Sequence, residues 1–387
     1  MPKVSTMSKK TKILVLGDSP AGQTGLGRIG RDLATRMSQM EDLEVAFLGF
    51  GAPPSSRLPF FQYQITSIGT TTADWIVSEL PYVWDDFAGA EPGILFSIWD
   101  ISRLEWMGNP DLCPIPELQQ WLRTAPVKKW VYPAIDAESI NGGLSTRLRK
   151  AIQGFDRVVN YTKWSTGITG YPDHLPHGID CSVFQPRPKQ EARKRIRAAG
   201  CTIFDDQSFL VGIVATSQPR KDWALGLQTC AELLNRGLDV KVWIHTDSVY
   251  RHWDIITLAQ ELGLGNRVAC SPSMSDEELS WHYSACDCTI GIAPEGMGYA
   301  QMESLACGVP VVTGSYGGQA EVVPPVMQVD PVAFRYEGVF ANKRPVYSPE
   351  EFADRVEWAP QSSRGLSDEY DWNNLWGRWE SWIRSGL

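Results

Sequence analysis

Two successive series of strand, turn and helix, divided by a proline-rich stretch, constrain this chain more than any other feature. The first opens at KILVLGDSPAG (12–22), a leucine and β-branched run ending in Gly, Asp, Ser and Pro, which reads as a buried strand and a turn. TGLGRIGRDLATRMSQM (24–40) then carries Leu26, Ile29, Leu33 and Met37 at helical spacing. Apolar runs recur at VAFLGF (45–50), GILFSIWD (93–100), KKWVYPAID (128–136) and DRVVNYT (156–162). Strands alternating with helices predict a parallel, doubly wound sheet.

The stretch YPDHLPHGIDCSVFQPRPKQ (171–190) reads as a crossover linker, after which the alternation restarts. FLVGIVAT (209–216), VKVWIHT (240–246) and CTIGIA (288–293) are strands. Between them lie helices at WALGLQTCAELLNRG (223–237), WDIITLAQELGLG (253–265) and DEELSWHYSACD (276–287), the last capped by Ser275 and Asp276. A chain of 387 residues exceeds what one core usually organises, so two α/β domains are expected. The spans are a loose tail at 1–11, a first domain at 12–180, a second at 181–365 and a terminal helix at 366–387. That helix, with Trp372, Trp376, Trp379 and Ile383 on one face, is expected to pack back across the domains. Residues 51–92 fit no pattern.

The formal charge of -9 argues against broad affinity for nucleic acid or anionic membrane. RPKQEARKRIR (187–197) is the one basic cluster and reads as a solvated helix face. The eight cysteines show no C-x-x-C pair and no histidine at zinc-finger distance, which fits a reducing compartment. No apolar run is long enough to span a bilayer, and MPKVSTMSKK lacks the apolar core of a signal peptide, so a cytoplasmic protein is expected.

PEGMGYAQMESLACGVPVV (294–312) places Glu295 and Glu303 across a glycine turn and a helix start. Eight helical residues separate them by roughly 12 Å, too far for the paired carboxylates of glycoside hydrolysis. Two carboxylates so spaced suit the two ends of one extended ligand. Ligands of open α/β sheets bind beyond the carboxyl ends of strands, where helix N-termini favour phosphate. Gly296 and Gly298 let backbone N–H groups approach an anion, Glu303 reaches ribose hydroxyls and Glu295 reaches sugar hydroxyls. A nucleotide-diphosphate sugar has these parts in this order.

This segment resembles the E-x7-E motif of retaining GT-B glycosyltransferases, in particular the large family 4, whose common form is E-G-F-G-x-x-x-x-E-A-x-A-x-G-x-P-V-V. TGLGRIGRDLA (24–34) resembles that family's N-terminal glycine loop and first helix, and LPHGIDCSVFQP (175–186) its N-G-(I/V)-D-x-x-x-F-x-P. DRVVNYTKWST and the stretch leading into Glu295 agree in order, so the resemblance spans nearly the whole chain. It implies two Rossmann-like domains facing an interdomain cleft, with the donor held by the second domain and the acceptor selected by the first. It also implies retention of anomeric configuration and no metal or other cofactor.

Carried over by position, Glu303 holds the donor ribose and Glu295 the transferred sugar. The backbone at Gly298, Tyr299 and Ala300 contacts sugar and phosphate, the loop Gly25, Leu26 and Gly27 closes over the diphosphate, and Met274 lies near the nucleobase. The leaving diphosphate needs positive charge. Lys221 in TSQPRKDW (216–223) matches the family's lysine; Thr216 stands where its arginine is usual, and the adjacent Arg220 is the substitute. Asp100, Asp136 and Trp99 are candidates for binding acceptor or sugar, although each Asp could equally cap a helix. His177, where the family often has asparagine, reads as a hinge residue.

The expected chemistry is same-face transfer of a hexosyl or pentosyl group to an acceptor hydroxyl, with the leaving phosphate as base. Glycan, lipid-linked sugar and metabolite are open as acceptors. A hydroxymethylated DNA base is a lesser option, which the acidic charge disfavours. A GT-B epimerase or hydrolase, or an inactive nucleotide-sugar binding protein, are the alternatives. Nucleobase, sugar and oligomeric state are not legible.

Overall fold

The computed structural model describes residues 9–66, 75–271, 273–361 and 365–387. The expected loose tail therefore lies mostly outside the described residues; its last residue, Thr11, opens the first strand. The chain divides into one unit of residues 1–175 with 377–387 and a second of residues 176–376. The division falls inside the proline-rich stretch.

The first unit holds a six-stranded sheet in the order β3-β2-β1-β4-β5-β6. Its strands are β1 (Thr11–Asp18), β2 (Leu43–Phe50), β3 (Phe61–Gln64), β4 (Gly93–Ile98), β5 (Val127–Val131) and β6 (Arg157–Val158). All pairings are parallel. Helices on both faces explain why β1 and β4 are continuous apolar runs: Ile13 to Leu16 and Ile94 to Phe96 are buried. Helix Gly25–Met37 begins at Thr24, whose hydroxyl accepts from the Gly27 amide, and buries Ile29, Leu33 and Met37.

Several expectations shift here. The strand read over 156–162 shrinks to Arg157–Val158, because Thr162 caps helix Lys163–Thr169 and the Asn160 side chain donates to Tyr171 and Asp173 carbonyls. At Asn160 the backbone exchanges its β5 partner for the 173–175 segment, donating to the Asp173 carbonyl and accepting from the Leu175 amide. β3 lies in the stretch that fitted no pattern; its residues are exposed or half-buried, so it lacks the apolar signal of an inner strand.

The second unit repeats the plan in the order β12-β11-β10-β7-β8-β9. The strands are β7 (Phe209–Val214), β8 (Val240–His245), β9 (Val268–Ser271), β10 (Cys288–Gly291), β11 (Val311–Gly314) and β12 (Gln328–Val329). An antiparallel hairpin, β13 (Ala333–Glu337) and β14 (Asn342–Val346), follows without an apolar signal in the sequence: β13 is exposed but for Glu337, and the buried residues of β14 are Arg344 and Pro345. Ser275 caps helix Asp276–Ala285 as expected, and Asp222 caps Trp223–Asn235.

The basic segment 187–197 forms a helix over Lys189–Ala198, but it is not a wholly solvated face. Arg193 is only 3% exposed and pairs with Asp287, while its other nitrogens donate to Ala285, Asp205 and Ser208 carbonyls. Lys189 joins Asp287, Arg197 pairs with Asp206, and Arg187 and Arg195 lie against the Trp281 ring. The positive charge is largely spent on packing the second unit.

Helix Trp372–Arg384 contributes residues to Trp376 to the second unit and from Gly377 onward to the first. Trp372 lies against Gly178, where a Cβ would come within 2.6 Å of the indole. Trp379 meets Tyr132 at 4.9 Å, and Trp382 meets Trp130 at 5.1 Å under the Arg157 guanidinium. Leu375 rather than Trp376 completes the buried face, with Trp376 half-buried.

Candidate functional site

Each sheet has the 3-2-1-4-5-6 strand order, so each has one place where adjacent strands run on to connections in opposite directions, the usual ligand crevice of such sheets. In the second unit that place lies between β7 and β10. The loops leaving their carboxyl ends carry Arg220 with Lys221 and Glu295 respectively, 74 residues or more apart in sequence.

Lys221, 6% exposed, forms an ion pair with Glu295 Oε1, and Arg220 Nη2 approaches Oε2 at 3.4 Å. Arg220 Nη1 also donates to the Pro294 carbonyl at 3.0 Å. Both sequence-derived cations therefore converge on the first glutamate. Thr216 stands apart from this pair: its carbonyl accepts from Trp223 Nε1. The cation loop is braced by Asp247, which accepts from the Ser217 amide, and by Trp253, whose indole donates to the Gln218 carbonyl.

The turn from Glu295 to the next helix depends on Gly298, which has φ of 92° and whose Cβ would fall 2.4 Å from Gln301 Oε1. Only glycine suits a left-handed position with so near a neighbour. Helix Tyr299–Ala306 starts directly after it, so the amides of Tyr299 and Ala300 stand in its first turn, where a helix supplies no acceptor of its own. Gly296 is half-buried in the same turn. Gln319 holds the turn from behind: its Oε1 accepts from the Glu295 amide, and its Nε2 donates to the Tyr316 carbonyl.

Glu303 lies in that helix, 1% exposed, and accepts a 2.7 Å hydrogen bond from the Tyr283 hydroxyl. Tyr299 stacks on His177 with ring centroids 4.8 Å apart, and its hydroxyl donates to the Gly178 carbonyl. His177 is buried. Met274 is half-buried between β9 and helix Asp276–Ala285. The chemistry offered is a row of cations, helix N-terminal amides and carboxylates: a place for an anion flanked by hydroxyl acceptors.

The first unit has its own cluster at the corresponding place, between β1 and β4. Arg103 contacts Asp18 and Asp100, each at 3.3 Å, and lies over the Trp75 ring at 3.9 Å. Trp99 is fully buried, and its Nε1 donates to Asp18 at 2.6 Å, so its indole is a wall of the cluster rather than an open stacking face. Burial, with Asp100 and Asp18 nearby, pushes the Tyr161 phenol well above its usual range. Asp136 lies half-buried beyond β5. Gly25, Leu26 and Gly27 form the first turn of a helix rather than a free loop, with Gly27 set closely against the Ser19 carbonyl.

Tyr283, Gln319, Asp18 and Arg103 were not singled out by sequence reasoning. Gln319 had a signal in the Gly317-Gly318 pair that follows an apolar strand, and Asp18 in its place at a strand end. Among the described residues, no group of three His, Cys, Asp or Glu side chains could hold a metal ion, and no helix is long and apolar enough to cross a membrane. All eight cysteines are free thiols.

Two Rossmann-like units of this strand order define the GT-B fold of glycosyltransferases, and solved structures agree on the architecture. Sucrose-phosphate synthase from Thermosynechococcus elongatus matches with a TM-score of 0.68 at 15% identity, covering 97% of this chain and 99% of that one. Anabaena HepE in complex with UDP and glucose matches with a TM-score of 0.68 at 17% identity, over 97% and 100%.

Residues 202–359, which contain the site of the second unit, match the model of the family described as glycosyl transferases group 1. The GDP-mannose-dependent alpha-(1-6)-phosphatidylinositol monomannoside mannosyltransferase of Mycolicibacterium smegmatis is 31% identical over 159 residues, 39% of this chain and 40% of that protein. A D-inositol 3-phosphate glycosyltransferase of Mycobacterium sp. (strain KMS) is 29% identical over 147 residues, 38% and 32% of the two chains. The chain thus spans two fifths or less of the length of these curated relatives. The likeness to group 1 glycosyltransferases is thus carried in sequence by the segment 202–359 and in fold by nearly the whole chain.

Proposed function

We propose that the protein is a retaining glycosyltransferase that moves a sugar from a nucleotide-diphosphate donor to an acceptor hydroxyl. The observation that carries this reading is the meeting of Arg220, Lys221 and Glu295 beside the Gly298 turn and a helix N-terminus, at the crevice between β7 and β10. In this reading the diphosphate lies on the cations and the Tyr299 and Ala300 amides. Glu303, aimed by Tyr283, takes the ribose hydroxyls, and Glu295 takes hydroxyls of the sugar.

The bond from the anomeric carbon to the β-phosphate oxygen breaks as the acceptor oxygen bonds that carbon from the same face, and the acceptor proton passes to the leaving phosphate. Arg220 and Lys221 stabilise the charge that develops there, so the reading assigns no role to a metal. Asp100, within the Asp18–Arg103 cluster, is assigned to acceptor hydroxyls. Unpaired thiols accord with a cytoplasmic setting. The name of one sequence relative, GDP-mannose-dependent, puts GDP first among donors to be tried, with UDP, found in a neighbour of the same fold, beside it; the relatives' names put inositol-containing acceptors first among acceptors.

The test is thermal unfolding with UDP, GDP, ADP, dTDP and CDP on the wild type and Glu303→Ala. A nucleotide at about 100 times its dissociation constant stabilises the native state by about 2.7 kcal/mol. One nucleotide stabilising the wild type, with the effect reduced in the variant, supports the assignment; a flat panel overturns it. Incubation with the matching sugar donor alone then separates transfer from epimerisation or hydrolysis.

A further inference from the structure

Glu295 has two sets of partners that it cannot satisfy at once. In this structure its carboxylate is held by Lys221 and Arg220, the same cations that the proposed reading gives to the diphosphate. A bound nucleotide sugar offers hydroxyls to this carboxylate in exchange for the cations. A nucleoside diphosphate offers none, and its terminal phosphate, now a monoester, carries about one more negative charge.

We propose that Glu295 acts as an internal stand-in for the diphosphate and sets the selectivity of the site for the sugar-bearing donor over the spent nucleotide. While the sugar is attached, its hydroxyls take the carboxylate and leave Lys221 and Arg220 to the phosphates. Once the sugar has gone, the carboxylate returns to those cations, competes for them and drives the nucleotide out. The surroundings suit this exchange. Lys221 is buried enough that it needs an anion at all times, whereas Glu295 keeps 22% of its side chain exposed and can turn toward either partner. The backbone of Glu295 is fixed independently, its amide by Gln319 and its carbonyl by the Gly318 amide, so the side chain can change partners without moving the turn.

This inference rests on the donor-site reading, and its test separates the two. UDP, GDP, their glucose and mannose derivatives, and inorganic pyrophosphate are titrated calorimetrically into wild type, Glu295→Gln and Glu295→Ala. Both substitutions leave the two backbone hydrogen bonds of the turn in place. The expected result is a nucleoside diphosphate bound about tenfold tighter by the variants and the nucleotide sugar bound more weakly, with pyrophosphate also tightened. Nucleoside diphosphate affinity unchanged or lowered in both variants overturns the proposal. Pyrophosphate tightening in the variants, with no nucleotide or nucleotide sugar bound by any form, keeps the stand-in role and overturns the donor reading. No tightening of any anion overturns the stand-in role outright.

Discussion

Replacing Tyr283 by Phe isolates one hydrogen bond of the candidate donor site. The hydroxyl donates to Glu303 Oε2 at 2.7 Å, with Tyr283 fully buried and Glu303 1% exposed. The ring that replaces it would keep the packing of Tyr283 against Trp243 and Phe184, at present 5.6 and 6.4 Å between centroids, so only the O–H is lost. A hydrogen bond to a charged group contributes about 1.5 to 3 kcal/mol, and removing one partner leaves a buried carboxylate short of a donor. For a unit of this size each kcal/mol lowers the midpoint by about 2 to 4 °C, so Tyr283→Phe is expected to lower the unfolding of the second unit by roughly 3 to 12 °C. The assay is scanning calorimetry, with the transition assigned by its shift on adding the nucleotide that binds. A cycle with Glu303→Gln removes indirect effects, and the coupling between the two sites should reach about 1 kcal/mol. A midpoint within about 1 °C of wild type, or strictly additive variants, would refute the claim that Tyr283 holds Glu303.

Two further outcomes follow from the second unit. Arg193→Ala should cost about 3 kcal/mol or more in denaturant unfolding, because it strips a buried partner from Asp287 and leaves three carbonyls without their donor. A loss under about 1 kcal/mol would return the 187–197 helix to the status of a solvated surface. Burial pushes His245 below its usual range, aided by His282, and burial lowers His282 as well, with Glu278 opposing and Arg195 adding. Both folded values lie below the unfolded one, so the unfolded chain takes up protons first as pH falls. The stability contribution is therefore complete above the unfolded value of about 6.5 and declines as pH drops through the folded values. Unfolding measured between about pH 7.5 and 5.5 should show this decline, reduced in His245→Gln; equal pH dependence in both proteins would count against it.

Much of the scaffold could be read in advance because its causes are local. A strand buried on both faces is a short apolar run, a helix repeats its apolar positions every three to four residues, and Ser275 announces a helix start by its own capping chemistry. β3 and the β13–β14 hairpin escaped this reading because no apolar run marks them: β3 and β13 are exposed or half-buried, and the buried pair of β14 is Arg344 and Pro345. The strand read through Asn160 and Thr162 was cut short by side-chain hydrogen bonds that apolar periodicity does not register.

The candidate site divides in the same way. Glu295, Gly298 and Glu303 were visible because one turn and one helix bring them together within a few residues, and Lys221 with Arg220 because they follow an apolar strand. The partner of each was decided only by the tertiary structure. β7 lies beside β10, and this adjacency alone brings Lys221 to Glu295 across 74 residues. The packing of helix Asp276–Ala285 sets Tyr283 on Glu303, and the β1–β4 adjacency joins Asp18 to Arg103 across 85 residues. Periodicity along a chain specifies which face of an element is buried, whereas the choice of neighbour is a global contest among sheet orders. For that reason the sequence alone determined two doubly wound sheets and a glycine turn between two glutamates, and the strand order decided that the first glutamate meets the cations.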